Sequence, residues 1–210
     1  IVNQLKADLN EVGNIDLTTC NNYNKALTLV NNSIQDLKMI ILKKGFSSID
    51  EEIEFFKDIK PFIMSRFIFL TFVIRHQELQ LISSKLAKSL IEKSKKEHDD
   101  FLEEYETYLL QLINHTSTEE KMFFVRKKYE PPLNLIYSKV LLNINFTTFH
   151  SELSAIFESI KMIQNYAQLQ EEKLKTTPLN TSNLRWTSKK TALIELIYSL
   201  YFSNSINDGQ

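Results

Sequence analysis

The chain has 210 residues, 43% of them hydrophobic and 24% charged, enough to bury one real core and at most a second small one. Its 25 Lys and Arg against 26 Asp and Glu give a net charge of −1, which excludes a surface dominated throughout by phosphate contacts and confines any nucleic-acid face to a local patch. Cys20 is the only cysteine, so no internal disulfide can form and a reducing, cytoplasmic setting is expected. Three glycines and four prolines leave little material for hairpins, barrels or phosphate loops. Composition therefore predicts an all-α fold, a multi-helix bundle.

Ile1 opens the chain without the basic, apolar and small-residue progression of a signal peptide, and a trimmed or disordered start is expected. Tyr23, Leu27, Val30, Ile34, Leu37 and Ile41 then recur at spacings of four and three, predicting a helix that Gly45 stops. Ser48-Ile-Asp-Glu51 reads as a capping box that opens a second helix, with Pro61 as its end and as an acceptable first residue of the next. The apolar run from Phe62 to Ile74 contains Arg66 and is shorter than the about 20 residues needed to cross a bilayer, so it predicts a buried helix at the bundle centre and no membrane partner.

Leu79, Ile82, Leu86 and Leu90, then Phe101, Tyr105, Tyr108 and Leu112, keep helical spacing on both sides of a polar middle, predicting one long helix or two with a break. That middle is charge-segregated: five lysines and one glutamate in Lys85 to Lys96, then six acids and no Lys or Arg in Glu97 to Glu106. A solvated face is the plain reading. Ser117-Thr-Glu-Glu120 resembles a second capping box, starting a short helix that fades near Lys128, and Pro131-Pro132 breaks any helix running into it. Leu133 to Phe146 includes period-two apolar positions, so a short extended segment or hairpin is the expectation near 133–146. Phe149, Leu153, Ile156, Ile160, Ile163 and Ala167 restore the four-three rhythm to about Lys175. The polar, breaker-rich stretch Thr176 to Asn183 is the best boundary, giving a helical N-terminal domain over 1–176 and a small C-terminal helical unit over 184–210.

Chemistry-bearing residues are sparse. His76, His98, His115 and His150 share no metal-ligand spacing, so no metal is expected. His98-Asp99-Asp100 sets an imidazole beside two carboxylates, but neighbouring helix residues point in different directions. Cys20, at the start of an apolar stripe, reads as a structural cysteine. The acidic pairs Glu51-Glu52, Glu103-Glu104 and Glu119-Glu120 read as surface charge. No nucleophile motif or phosphate loop occurs, so neither catalysis nor a cofactor is expected.

Leu184 to Gly209 differs in kind. Thr187 is a candidate cap for about four turns of helix whose buried face is Leu193, Ile197 and Leu200. Lys189 and Lys190 fall in the first turn, where the helix dipole disfavours positive charge, and Arg185 lies nearby. An external phosphate would justify all three, so Arg185, Lys189 and Lys190 are the candidate DNA-phosphate contacts and Trp186 the structural anchor.

Trp186-Thr-x-x-Lys190-x-x-Leu193-Ile-Glu-Leu-Ile-Tyr-x-Leu200, followed by Ile206-Asn-Asp-Gly209, resembles the RteC family of regulatory proteins from Bacteroides mobile elements. Glu51-Glu-Ile-Glu-Phe-Phe-Lys-Asp-Ile-Lys-Pro61 is similar to the family's N-terminal pattern. Phe146 to Tyr166 resembles its F-S-T-S-H helix start, with Phe146, Thr148 and His150 in place. The resemblance implies a helical N-terminal domain and a C-terminal helix-turn-helix or winged-helix module. It further implies a transcriptional activator, bound to double-stranded promoter DNA, in tetracycline-linked control of excision and transfer genes of a conjugative transposon. Relatives continue with more helices past the position of Gln210, so 184–210 is expected to be only the beginning of that unit. Asn114-His-Thr-Ser-Thr118 replaces a glycine-containing loop of the family. The competing expectation is a helical interaction or dimerisation scaffold without DNA binding, and a homodimer is compatible with either reading.

Overall fold

The computed structural model describes residues 1–14, 20–114, 119–126 and 146–176. These form α1 (Val2–Asn14), α2 (Cys20–Lys44), α3 (Ile49–Glu54), α4 (Lys60–Ile82), α5 (Ser84–Glu104), α6 (Glu106–Asn114), α7 (Glu120–Phe124) and α8 (Phe149–Thr176), with a π-helical turn, Phe55–Ile59, joining α3 to α4. Among the described residues there is no strand, and no helix is long and apolar enough to cross a membrane. The fold is all-α, as composition predicts. The expected extended segment near 133–146 lies outside the described residues except for Phe146. The chain divides into two compact units, Ile1–Gln170 and Glu171–Gln210.

Local chemistry sets several boundaries. α2 stops where Gly45 adopts φ +70°, its N–H reaching the Ile41 carbonyl at 2.9 Å, a left-handed position that costs glycine little. Ser48 caps α3 by accepting the Glu51 N–H at 3.1 Å. The return bond of the box goes one residue further out: the Glu51 carboxylate accepts from the Ser47 N–H at 2.6 Å.

Pro61 does not end the helix it follows. The π-turn widens the backbone just ahead of it, with the Lys60 N–H bonding back to the Phe55 carbonyl, so the chain runs on from α3 into α4 with the proline in the first turn. A π-bulge absorbs the displaced carbonyls where a regular α-turn would clash with the pyrrolidine ring. α4 packs against α2 and α5 and buries Ile63, Met64, Ile68, Leu70, Phe72 and Val73 on more than one side, the pattern of a central helix. Arg66 is accommodated there by lying 3.5 Å over the Phe62 ring and donating to the Phe62 carbonyl at 2.9 Å.

Three expectations need correction. The start of the chain is helical: Leu5 of α1 is buried and Leu9, one turn on, packs on the main core. The stripe through Leu79, Ile82, Leu86 and Leu90 is not continuous. Ser83 is extended at φ −165°, ψ 122°, which resets the helical phase. Ile82 and Leu86 are consequently exposed, while Ala87, Ile91, Ser94, His98 and Phe101 form the buried face of α5. Third, α7 takes Glu119 as its N-cap and ends at Phe124, short of Lys128. Ser117 lies outside the described residues. The early stop has a partner: the Arg126 N–H is bound by the Glu52 carboxylate at 3.1 Å and is drawn out of the helical ladder.

α8 closes the main core. Leu153, Ile156, Ile160, Ile163 and Ala167 are all buried, as their spacing predicts. Tyr166 meets Phe69, Phe72 and His76 edge-on, and its hydroxyl lies 2.9 Å from His76 Nδ1. Burial, with Tyr23 adding to it, raises the Tyr166 pKa, and burial lowers that of His76, so a protonated phenol faces a neutral imidazole. His98, whose Nε2 lies 3.2 Å from Ser94 Oγ, is also lowered by burial, with Glu97 and Asp99 opposing.

Both folded histidines bind a proton less readily than in the unfolded chain, so unfolding takes up protons. Their contribution is fully present above the ordinary histidine pKa of about 6.5 and is lost as pH falls through the lowered folded values. Stability by urea denaturation is expected to decline from about pH 7 toward about pH 5, and to decline less steeply in His98→Gln. An unchanged slope in that variant would remove His98 from this account.

Candidate functional site

The stretches Glu51–Pro61 and Phe146–Tyr166 are far apart in sequence, and the fold brings their polar residues to one point. Lys60, at the first residue of α4, donates its Nζ to Thr147 Oγ1 at 2.7 Å and pairs with the Glu152 carboxylate in the first turn of α8. The Thr147 hydroxyl in turn donates to the same carboxylate oxygen. Lys60 and Glu152 are 3% and 4% exposed. The ammonium also lies 5.6 Å from the Phe56 ring centre and 5.3 Å from that of Phe146, so aromatic faces replace part of its lost hydration. The carboxylate sits at the positive end of a long helix, where negative charge is favoured.

Each residue of the Phe146-x-Thr148-x-His150 start has a physical task. Phe146 joins a second core with Ile41, Ile53, Phe55, Phe56 and Phe124. Thr148, fully buried, accepts the Ser151 N–H on its hydroxyl at 3.2 Å, which caps α8. His150 stacks on Phe123, with ring centres 4.1 Å apart and planes at 22°.

Two further ion pairs tie α3 and the π-turn to α7. Glu52 accepts the Arg126 Nε–H at 2.6 Å, and that guanidinium lies 4.9 Å from the centre of the Phe46 ring. Lys57 Nζ donates to Glu120 at 2.5 Å, and this hydrogen bond is the main reason the Lys57 pKa is raised. These cations are committed to carboxylates inside the fold. The arrangement is a clamp on helix starts, suited to holding geometry.

Arg185, Trp186, Lys189 and Lys190 lie outside the described residues, as does His115. His76, His98 and His150 occupy separate environments, and no metal-holding group of three His, Cys, Asp or Glu occurs among the described residues. His98 is buried while Asp99 and Asp100 are exposed, so the triplet does not converge. Cys20 is the first residue of α2. The residues that do converge, Lys60, Thr147, Glu152, Glu52 and Arg126, were not legible as a site. The available signals were a lysine set between apolar residues beside Pro61, and Glu152 interrupting the stripe of α8.

The structure so far defines a class: an all-α protein whose helix starts are locked by a buried lysine, threonine and glutamate. The sequence model of the family described as RteC protein matches residues 54–210, a span that contains this clamp. The chain belongs to the RteC family. Membership supports a regulatory protein associated with conjugative transposons. No curated protein and no solved structure matches the chain.

Removing one partner of a buried ion pair leaves the other charge uncompensated, which typically costs about 3–5 kcal/mol. Lys60→Met and Glu152→Leu are each expected to lose stability on that scale in urea denaturation. The double variant, with no charge left to bury, is expected to be markedly more stable than the sum of the two losses implies. Additive losses would mean that the two side chains do not act as a pair.

Proposed function

We propose that the protein is a DNA-binding transcriptional activator that acts in the cytoplasm on the excision and transfer genes of a conjugative transposon. It acts by binding and not by catalysis. The observation that carries this reading is RteC family membership over residues 54–210, which includes the basic-tipped segment after the linker. Arg185, Lys189 and Lys190 are the proposed phosphate contacts, because three cations around the helix start that the sequence predicts would need an anionic partner to offset the dipole. Trp186 is the proposed structural anchor of that segment. The near-neutral net charge supports a local interface on duplex DNA, leaving the N-terminal helices for positioning.

Binding of the full-length protein to promoter DNA from its own element, measured over a range of salt, tests the proposal. Affinity is expected to fall as salt rises. Replacing Arg185, Lys189 and Lys190 together by Gln is expected to flatten the log–log salt slope by about 3, at about 0.9 per phosphate. Absence of binding, or binding indifferent to salt, would sink the reading and favour a helical scaffold without DNA.

A further inference from the structure

We propose that the outer face of α5 is a self-association surface, on which two copies of this chain pack with their α5 helices antiparallel about a two-fold axis near the helix middle. This inference does not rest on DNA binding.

α5 is 21 residues long, about 30 Å, and its core side is Ala87, Ile91 and His98. On the opposite side Lys85, Lys88 and Lys96 are exposed toward the N-terminal end, with Glu92 among them, and Asp99, Asp100 and Glu103 are exposed after them toward the C-terminal end. Some of the charge is used locally: Lys88 lies 3.7 Å from Glu92, and Lys93 lies 3.5 Å from Glu97. Lys85, Lys96, Asp100 and Glu103 make no ion pair among the described residues. A helix positive at one end and negative at the other is complementary to itself when reversed. It repels itself when parallel, so the charge pattern selects the antiparallel orientation. Reversal about one point is an isologous two-fold contact, which closes at two copies.

The neighbouring end of α4, the first turn of α5 and α6 add exposed apolar area. Leu81 and Ile82 are 85% and 72% exposed at the lysine end, with Leu86 beside them, and Leu110 and Ile113 are 51% and 64% exposed beyond the acidic end. Antiparallel packing sets the first group of one copy near the second group of the other. The charged centre would fix register while these ends remove apolar surface from water.

The 210-residue chain, at 24.6 kDa, is expected to sediment at twice that mass at low salt and tens of micromolar concentration. Lys85→Glu with Lys96→Glu leaves Lys88 among acids and makes the face predominantly acidic; Asp99→Lys with Glu103→Lys leaves Asp100 among lysines and makes it predominantly basic. Each substitution is felt twice by symmetry, so either variant alone is expected to dissociate more readily, by on the order of tenfold or more in Kd. Circular dichroism should report unchanged helix content, since all four positions are exposed. Mixing the two variants is expected to restore a one-to-one dimer. A monomeric wild type, dimers that persist in both variants, or a mixture that stays monomeric would each overturn the proposal.

Discussion

A buried ammonium can exist in this fold only because four side chains meet it at once, and much of the architecture derives from that requirement. Lys60 is carried inward by the helical continuity through Pro61, which the π-turn makes sterically possible. Once inside, it needs Glu152 to cancel its charge, Thr147 to take a second proton, and the faces of Phe56 and Phe146 to stand in for water. Those demands dictate where α8 begins. Thr148 must then cap it, since Phe146 and Thr147 are already committed to the second core and the clamp. The start of the longest helix is thus pinned to the start of the central one by a polar contact surrounded by rings.

The same logic extends outward through charges that tolerate more water. Glu52 and Lys57, from α3 and the π-turn, take Arg126 and Glu120 across to α7. These pairs are partly exposed and individually weaker than the buried one, yet they specify a direction that apolar packing of Phe46, Phe55, Phe56 and Phe124 alone would leave loose. The main core, by contrast, is ordinary close packing of α2, α4, α5 and α8 and depends on volume and shape. Two buried histidines, His76 and His98, sit within it. One is held by Tyr166 and the other by Ser94.

The features readable from the sequence were those that local chemistry decides. The stripes of α2 and α8 come from spacing alone, the end of α2 from a single glycine, and the start of α3 from one serine and a glutamate three residues on. The departures have non-local causes. α7 stops early because Glu52, 74 positions away, captures the Arg126 amide. The stripe across Ser83 fails because one extended residue shifts the phase of everything after it, a change that periodicity cannot detect when Leu is common on both sides. The clamp is the extreme case, since its ion pair joins residues 92 positions apart. Lys60 and Glu152 each look like solvated charge until the fold makes them neighbours. Arg185, Lys189 and Lys190 stand out in the sequence for the opposite reason: they set positive charge where the sequence predicts a helix start, a mismatch that is local.

These two kinds of polar residue divide the labour of the molecule. Charges inside the first unit are paired off with one another, which commits Lys57, Lys60, Glu52, Glu120, Arg126 and Glu152 to contacts within the fold. The outer face of α5 keeps charge that the fold does not use, sorted by sign along the helix. Sorting has no value for solubility, which interspersed charges serve better. It adds nothing to helix stability either, since lysines at the start and acids at the end oppose the dipole. A pattern that works against its own helix is best explained by an external partner of the reverse pattern, and the nearest source of such a surface is another copy of the same chain.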